Sequence, residues 1–105
     1  MRFHAIVAGL LLAGGVVGSA AAFECPRHFA EAEAAIEKAT NAAERMPAGE
    51  QKKLVHTLID DAKMYLTSGR HNHEKPQGKY DHARAIAKAD AARGYAQAAE
   101  ILANN

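Results

Sequence analysis

A chain of 105 residues with 13 basic, 12 acidic and 6 histidine side chains has room for one small domain and little room for a buried catalytic cleft. Its formal charge of +1 excludes the strongly basic surface that nucleic acid or an anionic membrane selects. The composition is dominated by 25 alanines with no tryptophan, which favours helix over strand throughout.

The first 22 residues read as a cleavable secretory signal. Arg2 supplies the positive start, Ala5 to Val17 the apolar run and Ala20-Ala21-Ala22 the small-residue cleavage site, cut after Ala22. The run is too short and too glycine-rich for a membrane span. Ala22-Phe23-Glu24 ahead of Cys25 also lacks the leucine and small-residue pair of a lipoprotein anchor. Cleavage leaves 83 residues with 12 basic groups, 12 acidic groups and 5 histidines. The expectation is a charge-balanced periplasmic or secreted protein with no nucleic-acid partner and, after cleavage, no membrane association.

Three helices are expected in the mature chain, about 26–46, 50–67 and 80–103, forming an all-α antiparallel three-helix bundle that homodimerisation would complete if it occurs. The first opens on Pro26, which suits a first helical position, with Glu31 and Glu33 following. Phe29, Ala32, Ile36, Ala39, Ala43 and Met46 alternate gaps of three and four, one apolar stripe that Cys25 leads into. Pro47, Ala48 and Gly49 end that helix. The second carries Leu54, Val55, Leu58, Ile59, Ala62, Tyr65 and Leu66 on a broad face, the expected heart of the core. Ser68 to Gly78, with Gly69, Pro76 and Gly78, is read as the second break.

The third helix has two apolar stripes. One holds Tyr80, Ala83, Ala87, Gly94, Ala98 and Ile101; the other is alanine alone, at Ala85, Ala89, Ala92, Ala96, Ala99 and Ala103. Such a helix either lies between neighbours or uses one face to meet another molecule. Ala85, Ala89, Ala92, Ala96 and Ala99 are therefore a candidate self-association surface, against the simpler account that they only raise helix propensity. So alanine-rich a core buries little area per residue and calls for help from self-association, a ligand or a metal.

The chemistry-bearing stretch is Arg70 to His82, where His71, His73 and His82 stand with Glu74 and Asp81. Imidazoles and carboxylates are ligands for copper, zinc or nickel. On extended chain the two rings of His71-Asn72-His73 would share a side, and Pro76 and Gly78 would turn His82 and Asp81 back towards them. The alternative is a solvated loop that happens to contain histidines. A second candidate lies on the second helix, where His56 and Asp60 are four apart and Met64, a soft ligand suited to Cu(I), follows one turn later. A solvated face explains the same spacing.

Cys25 is the single cysteine and has three readings. It could pair with a second copy in an oxidising compartment. It could join His28 at a helix start as a thiolate–imidazole metal site, with the nearby free amine of the mature chain. It could simply be buried. The Cys-x-x-Cys-His motif of covalent haem is absent, as are Gly-x-Ser-x-Gly, His-Glu-x-x-His and a phosphate-cradling glycine loop. The chain is not expected to be an enzyme.

The run Asp81-His82-Ala83-Arg84-Ala85-Ile86-Ala87-Lys88-Ala89, after a histidine-bearing loop in an exported helical chain, resembles the small periplasmic metal-binding proteins. That resemblance implies a histidine-bearing antiparallel bundle binding copper or other divalent metals, and implies His82 directly as a ligand. Members of that family repeat a His-Ala-x-x-Ala element; here only His82-Ala83 opens one, which implies one or two sites. The expected function is transition-metal buffering or delivery, copper first and zinc or nickel after it, with affinity falling below about pH 6 because imidazolium does not bind metal. The alternative is a non-enzymatic helical interaction or dimerisation module with no metal role.

Overall fold

The computed structural model describes residues 24–105 except Lys79. The expected secretory signal and its expected cleavage point lie outside the described residues. Those residues form three helices and no strand: α1 over 24–44, α2 over Glu50–Glu74 and α3 over Asp81–Ala103. No helix among them is long and apolar enough to cross a membrane.

Cross-helix pairs fix the topology as up-down-up. Numbers rise together between α1 and α3, with Cys25 at His82, His28 at Asp90 and Glu31 at Arg93. They run oppositely between α2 and α3, with Tyr65 stacked on Tyr95 and Ser68 bonded to Lys88. Both connections are short, so consecutive helices are antiparallel. In the first, Met46 N–H donates to the Ala43 carbonyl at 3.0 Å, tightening the end of α1. Gly49 then turns the chain at φ 154°, a conformation side chains rarely adopt, and caps α2.

The core is built from small side chains. Phe29, Ala32, Ala39 and Ala43 of α1 meet Val55, Ile59, Ala62 and Leu66 of α2 and five alanines of α3. Its largest fully buried side chains are Ile59, Val55 and Cys25. Small side chains let the helices approach closely, and Gly69, with none, is the clearest instance. A Cβ there would stand 3.0 Å from the Ala85 carbonyl oxygen and 3.2 Å from Lys88 Cβ.

Three sequence expectations change. First, α2 does not stop at Thr67 but runs through Glu74. Gly69 is a contact residue inside the helix rather than a break, and the break falls at Pro76, which disfavours helical geometry at Lys75 (φ −131°, ψ 65°). Second, Ala85, Ala89, Ala92, Ala96 and Ala99 are completely buried within one chain. They are the face of α3 that packs on α1 and α2, and so are not a surface for a second copy. The stripe with Tyr80 and Ile101 is the outer one, because those side chains do not fit between closely spaced backbones; Ile101 is 65% exposed. Third, Leu54 is 54% exposed and Tyr65 sits at the edge against Tyr95 rather than in the core.

Candidate metal centre

The start of α1, the end of α2 and the start of α3 meet at one end of the bundle, and each brings one ligand-bearing side chain. Cys25 comes from the first turn of α1, His73 from the last turn of α2 and His82 from the first turn of α3. One ligand atom from each lies within 4.8 Å of the other two, so this group could hold a metal ion. Three donors about 2.0–2.3 Å from one ion stand roughly 3.5 Å apart.

Cys25 is fully buried, and its Sγ lies 3.6 Å from the His82 carbonyl oxygen. Burial pushes the thiol above its usual range, and the neighbouring Glu24 carboxylate pushes it further the same way. The thiol therefore keeps its proton at neutral pH until something stabilises the thiolate. Glu24 itself is held below the usual carboxylate range by its bond to Arg27.

The two imidazoles pack edge to face, with ring centres 5.6 Å apart, and His73 also meets the Phe29 ring at 5.5 Å. Nδ1 of His73 and Nδ1 of His82 are both buried without a hydrogen-bond partner among the described residues. A buried polar atom left unpaired costs about 1–3 kcal/mol. Two such atoms on rings that touch, beside a buried thiol, form a polar cluster the protein does not satisfy by itself. A metal ion takes up lone pairs of this kind.

Asp81 explains how His82 is aimed. Its carboxylate accepts the Gln77 backbone N–H and pairs with Arg84 at 3.6 Å, and its own N–H donates to the Gly78 carbonyl at 3.1 Å. At 6% exposure it fastens the α2–α3 loop and starts the helix that carries His82. Asp81 is thus a loop fastener and lies outside the ligand group.

The other sequence candidates separate in the same way. His71 and His73 do not share a side, because the segment is helical and two residues turn about 200°. His73 faces the bundle and His71 is exposed, as is Glu74. His28 does not join Cys25: its Nδ1 lies 2.6 Å from Asp90 Oδ1 and its Nε2 3.4 Å from Glu24 Oε1. His56, Asp60 and Met64 lie earlier in α2 and outside the group; Asp60 is exposed and Met64 is 68% exposed.

The grouping of Cys25 with His73 and His82 is the step that sequence reasoning missed. A signal for it existed, since in an up-down-up bundle the start of the first helix must lie beside the turn between the second and third. No family model, curated protein or solved structure matches the chain.

Proposed function

We propose that this chain is an exported helical protein that binds one transition-metal ion, copper first, at Cys25, His73 and His82, for buffering or delivery. The observation that carries the reading is the convergence of one thiol and two imidazoles, one from each helix, with both Nδ1 atoms buried and unpaired. The resemblance of the His82 segment to small periplasmic metal-binding proteins supports the same reading. The alternative interaction module was placed on the alanine stripe of α3, and that stripe is covered within the chain.

The test is thermal unfolding of the reduced, metal-free protein titrated with Cu(I), Cu(II), Ni(II) and Zn(II). A ligand that binds only the folded state raises the melting temperature by mass action, by about 2.7 kcal/mol of stability at 100 times its dissociation constant. A rise that saturates at one equivalent, and that the triple variant Cys25→Ser/His73→Ala/His82→Ala abolishes while staying helical by circular dichroism, supports the reading. Melting temperatures unmoved by any of the four ions would end it.

A further inference from the structure

Resting on the metal-binding reading above, we infer that the site is a three-coordinate Cu(I) site that discriminates against Zn(II). The first argument is ligand number. Among the described residues the group holds three His, Cys, Asp or Glu donors and no fourth. Zinc held by three protein ligands needs a water to complete its four positions, whereas d10 Cu(I) is coordinatively satisfied by two or three. The second is softness: a thiolate suits Cu(I) and also zinc, so the discrimination between them rests on ligand number and charge.

The third argument is charge. A thiolate with two neutral imidazoles carries one negative charge, so a monovalent ion makes a neutral cluster and a divalent ion leaves one positive charge. Burial tolerates the first and penalises the second. A zinc site would offset that charge with a carboxylate, and the carboxylates next in the chain are committed elsewhere. Glu24 is tied to Arg27 and His28, Asp81 to the Gln77 N–H and Arg84, and Glu74 is exposed to solvent.

The experiment is an anaerobic competition of the reduced protein against a colorimetric Cu(I) chelator and, separately, a Zn(II) chelator, followed by X-ray absorption at the copper edge. The expected result is one Cu(I) per chain, held at least about 100-fold more tightly than Zn(II), with one sulfur and two nitrogen neighbours. Cys25→Ser keeps the size and the donor to the His82 carbonyl, and is expected to lower Cu(I) affinity by about 100-fold or more, beyond what outer-shell changes produce. If that variant loses helicity, His82→Gln takes its place with the same expected loss. Zn(II) bound as tightly as Cu(I) at these residues, or a four-coordinate copper, overturns the Cu(I) inference and leaves metal binding standing. Failure of every ion to bind overturns both.

Discussion

Cys25 carries a pH dependence of its own. Its thiol is raised in the folded chain by burial and by Glu24, so the folded state holds the proton more tightly than the unfolded state does. That contribution is fully present below the unfolded thiol value, about 8.5, and is lost as pH rises through the higher folded value. The metal-free protein is therefore expected to lose melting temperature as pH rises above about 8.5, and Cys25→Ser to flatten that limb; equal slopes for the two proteins would refute the assignment. Asp81 works at the same scale through geometry alone. Asp81→Ala removes the acceptor for the Gln77 N–H and the Arg84 pair. It is expected to cost about 1–2 kcal/mol of stability and to weaken metal binding about 10-fold or more. The ligand set read by X-ray absorption should stay unchanged, whereas loss of an oxygen neighbour would make Asp81 a ligand after all.

At the scale of the helix, the two glycines of α2 and α3 have opposite consequences. Gly69 sits under the α3 backbone, where a methyl group would meet the Ala85 carbonyl at 3.0 Å. Gly69→Ala gains helix propensity of about 1 kcal/mol but forces α2 and α3 apart, an overpacking cost of about 1–3 kcal/mol. A net loss of stability is expected in urea unfolding. Gly94 has nothing within 4 Å of its would-be Cβ, so Gly94→Ala is expected to stabilise by about 0.5–1 kcal/mol. A stabilising Gly69→Ala would mean that the close approach is not what holds the helices together. The two positions look alike in sequence, each a lone glycine amid helix formers, and Gly69 reads there as a break because Pro76 and Gly78 follow nearby.

For the whole molecule, the alanine core and the candidate metal centre are two halves of one arrangement. Alanine lets three helices pack closely while contributing little buried area per residue, and the candidate site joins all three helices at one end. Metal binding is expected to slow amide exchange most at the start of α1, the end of α2 and the start of α3, and least near Met46 and Ala103 at the opposite end. A uniform effect along the helices would argue against a local clamp. The buried stripe of α3 gives a matching contrast. Ala92→Leu, at a fully buried position, is expected to cost about 1–3 kcal/mol without changing the mass of the particle in solution. Ala98→Leu, at an exposed one, should be nearly neutral.

Sequence periodicity and composition alone determined that the described residues are helical, in three helices, and that Phe29, Ala32, Ile59 and Leu66 turn inward, because spacing of three and four places residues on one face whatever the partners. They also singled out the histidine-bearing turn as the place to look for chemistry. Which stripe of α3 is the inner one was decided only by packing, since both stripes are apolar and the choice rests on how closely α1 and α2 approach. The membership of the site was decided there too. Once α2 continues to Glu74, His71 turns outward and His73 turns in, and the closure of three helices brings Cys25, 48 positions before His73 and 57 before His82, to the same point as both.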